Sequence, residues 1–194
     1  MKCRNCKKKY FSLITKIGRQ PISSIFLKKK KYIKNYSLDL FQCKSCDLVQ
    51  LSRIPSLKDM YGPQYGYKTS VSGLMVDHLK KKFNWIKKTK VFKIKKNILD
   101  IGSNDGTFLN FFAKYCKKAN IIGMDPSAKA FSGSYNKKIK VVTDFFTDIS
   151  IRKYIKDYKF SVITSFAMFY DVEDPNKFCK NISKILEKNG IWIL

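Results

Sequence analysis

Negative charge is what this sequence has least of: 14 Asp and Glu stand against 40 Lys and Arg, for a net charge of +26. With carboxylates so scarce, the position of each one carries information. Arginine is scarce too, since 36 of the 40 cations are lysine and only four are arginine. The guanidinium fork is what reads base edges and grips phosphates in pairs, so its shortage argues against specific nucleic-acid recognition despite the charge. A Lys-rich chain also heavy in Ile, Asn, Phe and Tyr is what A/T-biased codon usage produces, and a charge run is usually a solvated face. Weak attraction to polyanions is expected either way. No apolar stretch approaches the ~20 residues that cross a bilayer. The first residues, MKCRNCKKKYF, contain no signal-peptide core. These absences lead us to expect a cytoplasmic chain with no membrane partner.

What is present is unevenly placed. Residues 1–98 carry 25 Lys/Arg and 4 acids (net +21), and residues 99–194 carry 15 and 10 (net +5). The apolar fraction of 44% is enough for a packed core. Three segments separate. Residues 1–55 are Lys- and Cys-rich, with short extended stretches at Tyr10–Ile14, Leu38–Gln42 and Leu48–Leu51. Residues 56–95 form a connector, opening with the turn-rich MYGPQYGYKTS and continuing as a helix over about Val71–Lys88, where Leu74, Met75, His78, Leu79 and Phe83 recur at helical intervals. From residue 96 onward strands and helices alternate. Strands are expected at Asn97–Ile101, Ile121–Asp125, Ile139–Thr143 and Phe160–Ser165, with a last one from Ile191. Helices are expected at Thr107–Lys117, Ala128–Tyr135 and Asn176–Lys188, the last capped by Asp174, started by Pro175 and released at Gly190. Such alternation predicts an α/β fold, a Rossmann-like parallel sheet of about five strands with helices on both faces.

Cys3-Arg-Asn-Cys6 and Cys43-Lys-Ser-Cys46 form two CxxC pairs. Two such pairs brought together complete a closed tetrahedral thiolate site for zinc. A short segment poor in apolar residues would draw folding energy from that metal. Zinc is favoured over disulfides, which suit a cytoplasmic chain poorly, and over unrelated thiols, although the 36 intervening residues exceed the usual zinc-ribbon spacing. A closed site predicts scaffolding. Cys116 and Cys179 fall on apolar helical faces and are expected in the core.

ILDIGSNDGTFLNFF (98–112) places a glycine turn between a strand and a helix. Counted from Gly102, the GxGxxG dinucleotide pattern fails at Asn104 and again at Thr107. Asp100 ends the strand just before the turn, where it would repel a pyrophosphate but suit a cofactor bearing a cationic amino group. Asp125 ends the next strand, where a carboxylate can accept from both ribose hydroxyls. Asp144, beside Phe145, follows the third and can accept from an adenine amino group. Each acid alone reads as a cap or a turn former. The ordered set along the carboxyl edge of a parallel sheet favours S-adenosyl-L-methionine, which has the amino group and no phosphate.

With these residues in place, the chain resembles the class I S-adenosylmethionine-dependent methyltransferases, and more narrowly the branch with an N-terminal zinc-binding domain that includes sugar C-methyltransferases. The resemblance rests on CRNC, LDLFQCKSCDLVQL, MYGPQYGYKTSVSGLMVDHLKK, ILDIGSNDGTFLNFF, IGMDPS and SFAMFYDVEDPNKF. It implies a zinc-binding domain over 1–55, the connector over 56–95 and an S-adenosylmethionine-binding domain over 96–194. It implies zinc on Cys3, Cys6, Cys43 and Cys46, and a methionine cradle from Asp100, Gly102, Ser103, Asn104 and Gly106. Asp125 would hold the ribose, Asp144 and Phe145 the adenine. Phe166, in the stretch Phe166–Tyr170, would line the reactive side, and Tyr65 or Tyr67 would stand near the acceptor. The expected function is methyl transfer to a small-molecule acceptor, a nucleotide-linked keto-sugar being the candidate.

Asn104 stands where many methyltransferases have glycine, and asparagine tolerates the left-handed geometry. The fold usually has seven strands, whereas this sequence ends in GIWIL, the fifth. The resemblance therefore implies a C-terminally truncated, incomplete fold, with Trp192 exposed and a partner polypeptide able to supply the rest. The sole histidine, His78, is expected on the connector helix and not as a base. The alternative function is a zinc-ribbon nucleic-acid-binding protein with a vestigial Rossmann domain.

Overall fold

The computed structural model describes residues 1–22, 27, 29–62, 65–94, 97–116 and 118–194. Pro63 and Gln64 of the expected turn, Lys96 where the alternation begins, and Lys117 at the expected end of a helix lie outside these. The chain divides into two compact units, Met1–Gly66 with Asp171–Lys177, and Tyr67–Tyr170 with Phe178–Leu194.

The first unit contains a three-stranded antiparallel sheet in the order β1 (Phe11–Pro21), β2 (Asn35–Cys43), β3 (Val49–Leu51), followed by a single helical turn α1 (Leu57–Met60). β1 runs well past the expected Ile14, because its pairing with β2 continues through two irregularities to Pro21–Asn35. Leu13, Ile14 and Ile17 of β1 are exposed. Among the described residues of this unit only Cys3, Cys43 and Gln50 are buried, so its centre is a thiol cluster and not a hydrocarbon core. The side chain of Gln50 accepts from the Arg4 N–H at 2.9 Å and donates to the Lys2 carbonyl at 3.2 Å, tying the N-terminus to β3. Asp171–Lys177 is held to the first cysteine pair by Arg4 on the Val172 carbonyl (3.5 Å), Asn176 on the Asn5 carbonyl (2.7 Å) and the ion pair Lys7–Asp174 (3.1 Å). Tyr61 also donates to Asp171.

The second unit begins with a 3₁₀ turn at Thr69–Val71, then α2 (Gly73–Lys88) and α3 (Lys90–Ile94). The Ser72 side chain caps α2 by accepting from the Met75 N–H at 3.3 Å. The buried stripe of α2 is Leu79, Phe83 and Ile86, with Met75 partly covered; Leu74, expected inside, is 87% exposed. The 3.6-residue period cannot distinguish adjacent positions at the rim of a stripe, and here the face is turned so that Phe83 meets the helix behind the glycine turn. His78 lies on α2 and is exposed.

Five parallel strands follow: β4 (Asn97–Ile101), β5 (Asn120–Met124), β6 (Ile139–Val142), β7 (Phe160–Thr164) and β8 (Leu186–Ile193), in the order β6-β5-β4-β7-β8. Near-continuous burial of β4, β5 and β7 is what a sheet covered on both faces requires. Between the strands lie α4 (Thr107–Tyr115), a 3₁₀ segment Ala128–Ser134, a short α5 (Asp148–Ser150) leading into a π-turn, and α6 (Pro175–Ile185). Phe83 packs edge-on to Phe112 of α4 at 4.9 Å, and Phe108 edge-on to Phe112 at 5.1 Å. Each such buried ring contributes roughly 1.5–3 kcal/mol of transfer free energy.

At α6 the start follows expectation, with Asp174 accepting from the Lys177 N–H at 3.1 Å. The end does not. The helix stops at Ile185 and Gly190 lies within β8, where a Cβ would stand 2.8 Å from the Phe160 carbonyl oxygen. Gly190 is thus a close-approach residue at a strand irregularity, and strand pairing has overridden a helix-exit signal. Trp192, expected exposed, is half-buried: its indole N–H donates to Ser165 at 2.8 Å and its ring meets Phe169 at 5.5 Å. Cys116 is buried, at the exit of α4, while Cys179 of α6 is only partly covered. No helix among the described residues is long and apolar enough to cross a membrane.

Candidate functional site

The two CxxC turns are built alike. The Cys3 N–H donates to the Lys8 carbonyl and the Lys7 N–H to the Cys3 carbonyl, at 2.9 and 3.0 Å; Cys43, Leu48 and Asp47 repeat the pattern at 2.9 and 2.9 Å. Lys7 and Asp47, one residue after each pair, both hold positive φ (64° and 58°). This turn points backbone and thiol inward together. Sequence reading missed these two positions, although each directly follows its CxxC. The four sulfurs lie within 4.8 Å of one another, with Cys3–Cys46 at 3.6 Å and Cys6–Cys43 at 3.5 Å. A tetrahedron with zinc–sulfur bonds of 2.3 Å has edges of about 3.8 Å, so the cluster fits zinc with little adjustment. The Leu48 N–H, donated to Cys46, lowers that thiol toward the thiolate a metal requires, whereas at Cys6 the Lys8 backbone bond is outweighed by burial and the neighbouring thiols, which push the thiol up.

In the second unit the candidate site lies at the carboxyl ends of β4, β5 and β7. Strand order reverses at β4, which pairs with β5 on one side and β7 on the other, and crevices in open α/β sheets form at such a switch. Asp100 pairs with Thr164 in register across it and accepts the threonine hydroxyl at 2.6 Å. Asp100 is 4% exposed. Burial pushes it up to about 7; the bond from Thr164 opposes the shift and the charge of Asp125 adds to it.

Asp125 lies just past β5. Its Oδ2 accepts from the Asn104 N–H at 2.8 Å, and its Oδ1 from the Ser127 N–H and hydroxyl at 2.7 and 2.5 Å. Gly102, Asn104 and Gly106 all hold positive φ (79°, 49° and 76°), which curls the turn so that the Asn104 N–H faces Asp125. A Cβ on Gly106 would stand 2.5 Å from the Tyr135 ring. Tyr135 lies over the turn, its hydroxyl donating to the Asn104 carbonyl at 2.6 Å and 2.9 Å from the Ser103 hydroxyl. Gly106→Ala is therefore expected to destabilise the second unit by about 1–3 kcal/mol, since both the conformation and the space forbid a side chain. Urea unfolding read at the sheet would check this.

Asp144 and Phe145 follow β6, both half-buried, and the Phe145 N–H donates to Asp144 at 2.8 Å. The Phe145 carbonyl accepts from the Ser150 hydroxyl at 2.6 Å, which fixes this loop to α5. Phe166 follows β7 and meets Phe108 edge-on at 5.1 Å. Tyr67 belongs to the second unit and Tyr65 to the first, where Tyr65 packs on Tyr61 with ring centroids 5.1 Å apart. Sequence reading singled out neither Thr164, Ser127 nor Tyr135. Ser127 was legible, two residues after Asp125 in DPS, as an Asx-turn partner. Thr164 and Tyr135 reach their places only through strand pairing and loop closure.

A family model described as "Methyltransferase domain" matches residues 73–194, and one described as "Putative zinc binding domain" matches residues 3–61. A carboxy-S-adenosyl-L-methionine synthase from Staphylococcus epidermidis is 32% identical over 108 residues, covering 50% of this chain and 43% of that protein. Among solved structures, the plantazolicin methyltransferase BpumL, in complex with a triazolic desmethylPZN analog and SAH, aligns with TM-score 0.51 and 19% identity, covering 64% of this chain and 48% of that one. SAM-bound CalS10, an amino pentose methyltransferase from Micromonospora echinaspora, aligns with TM-score 0.49 and 13% identity, covering 66% and 56%. The chain thus spans about half the length of these relatives. The BpumL likeness shows the class I methyltransferase fold, and the first family model spans more than half of the chain. This protein belongs to the methyltransferase-domain family.

Proposed function

We propose that this chain is the cofactor-binding part of an S-adenosylmethionine-dependent methyltransferase acting on a small molecule. The observation that carries this is the pair of buried carboxylates, Asp100 and Asp125, flanking a glycine turn at the switch point of the sheet in a methyltransferase-domain chain. Asp125 would take the ribose hydroxyls, Asp100 the ammonium of the methionine part, and the backbone of Gly102–Gly106 its carboxylate end. Asp144 would accept from the adenine amino group, with Phe145 against the ring. Phe166 and Phe108 would keep water from the methyl group. The bound cofactor supplies an electrophilic methyl on sulfonium. The residues around it hold the donor in line with an incoming carbon or oxygen nucleophile, so that positioning and desolvation do most of the work. Tyr65 and Tyr67 are the acceptor-side candidates. Cys3, Cys6, Cys43 and Cys46 would hold zinc as a scaffold.

The finer reading is C-methylation of a nucleotide-linked keto-sugar, supported by the resemblance of the motifs at both ends of the chain. Calorimetric titration with S-adenosylmethionine, S-adenosylhomocysteine, NAD and random duplex DNA tests the cofactor reading. Saturable binding of the first two is expected, with no NAD binding and only salt-sensitive DNA affinity. Tight NAD binding, or DNA binding without cofactor binding, would overturn it. Formation of S-adenosylhomocysteine on addition of nucleotide-linked keto-sugars tests the acceptor.

The pH dependence has a definite sign. A carboxyl held near 7 binds its proton more tightly in the native state, so Asp100 favours the folded chain at low pH, a contribution lost as pH rises from about 4 through 7. An ammonium ligand favours the ionised form, so binding releases a proton below about 7. Affinity is expected to rise up to about tenfold per pH unit on the acid side and to fall above about 8 as the ligand's own amino group deprotonates. Calorimetry in buffers of different ionisation enthalpy reads the released proton. Asp100→Asn should abolish the acid limb.

A further inference from the structure

We infer that Asn104 is a positioning residue: it joins the Asp125 carboxylate to the backbone that carries Tyr67, and so couples cofactor binding to the placement of an acceptor-side residue. The inference rests on the cofactor reading above and goes beyond it, because the resemblance treats Asn104 as part of the methionine cradle.

The buried Asn104 faces two ways. Its backbone N–H donates to Asp125 at 2.8 Å. Its side chain points toward the connector, where Oδ1 accepts from the Thr69 N–H and hydroxyl at 2.9 and 3.0 Å, and Nδ2 donates to the Tyr67 carbonyl at 3.0 Å. Asp105 continues the attachment, accepting the Ser70 N–H on Oδ2 at 2.9 Å while Oδ1 takes the Thr107 N–H and hydroxyl at 3.1 and 2.7 Å. Two consecutive residues thus make four hydrogen bonds to Tyr67–Ser70.

Thr69 is buried beneath this contact, whereas Val71 and Leu74, just beyond it, are 77% and 87% exposed. Polar bonds to the glycine turn therefore fix Thr69 and Ser70 where the apolar residues that follow add no cover. Glycine would suit the positive φ of 49° better than asparagine does. A residue that accepts backbone strain and spends its whole side chain on another segment is explained by that segment. A carboxamide also fits the task closely, since it must accept two bonds and donate one at the same place.

Asn104→Gly separates the two roles, because it preserves the turn's conformation and the N–H to Asp125 while deleting the side-chain bonds. In the unliganded protein, the Thr69 amide should exchange hydrogen roughly 10–100-fold faster in the variant, while the Ser70 amide, still bonded to Asp105, should change less. In wild type, S-adenosylhomocysteine should slow exchange across 67–72. In Asn104→Gly that ligand-dependent slowing should vanish at S-adenosylhomocysteine concentrations that saturate the variant. Thr69→Val, which leaves the glycine turn intact, should give an intermediate result. Unchanged exchange at Thr69 in both variants would overturn the attachment. Ligand-dependent slowing equal to wild type in Asn104→Gly would overturn the coupling, and so would complete loss of binding, which would make the side chain a cofactor ligand. If wild type binds no S-adenosylhomocysteine, the cofactor reading and the coupling both fail, and the unliganded exchange rates still decide the attachment separately.

Discussion

Asp125→Ala is expected to weaken S-adenosylmethionine binding by about a hundredfold or more. Two hydroxyls donating to one carboxylate make charge-assisted bonds of roughly 1.5–3 kcal/mol each, and 1.4 kcal/mol is a factor of ten. The carboxylate also orders its own surroundings, since it accepts the Asn104 N–H and both donors of Ser127. Alanine therefore removes the ribose acceptor and loosens the turn together. Asp125→Asn separates these, because an amide keeps one acceptor oxygen and can hold either the turn or the ribose. Its loss should be nearer tenfold. Titration calorimetry gives both numbers, and ligand-induced thermal stabilisation gives an independent reading, since S-adenosylhomocysteine at 100 times its Kd should stabilise wild type by about 2.7 kcal/mol. Wild-type affinity in Asp125→Ala would remove Asp125 from the site.

Loss of zinc is expected to unfold the first unit and leave the parallel sheet in place. Structural zinc contributes an apparent ~10–16 kcal/mol in small domains, and this unit has little else at its centre: its buried described residues are two of the four cysteines and Gln50. Native mass spectrometry should find one zinc per chain. Chelation or Cys43→Ser should release it and remove hydrogen-exchange protection from 11–21, 35–51 and 171–177. The last stretch is included because Arg4, Asn5 and Lys7, within and beside the first CxxC turn, bind it. Cys179→Ser should keep the metal. A zinc-free chain with these strands still protected would show that the sheet needs no metal.

The order of elements was legible in the sequence because local chemistry dictates it. Apolar runs bounded by Gly, Asp and Asn give the buried strands, and Asp174-Pro175 starts a helix whatever surrounds it. The cysteine spacing was legible for the same reason, since CxxC is a local turn. Asp100 and Asp125 were found as strand-ending acids because β4 and β5 are short and their ends well marked.

Tertiary structure decided what depends on distant partners. Pairing with β7 pulled Leu186 out of the expected helix, and Gly190 from its expected place at the helix exit, into β8, because a backbone ladder outweighs a C-terminal glycine signal. Packing turned α2 so that Leu74 faces outward and Ile86 inward, and Trp192 found Ser165 and Phe169. The raised pKa of Asp100 arises only where the sheet buries it, and Asn104, 35 residues along the chain from Thr69, reaches that residue only through the fold. Sequence periodicity sets which elements form, while the register between elements, on which burial, pKa and side-chain hydrogen bonds depend, is chosen by the packed whole.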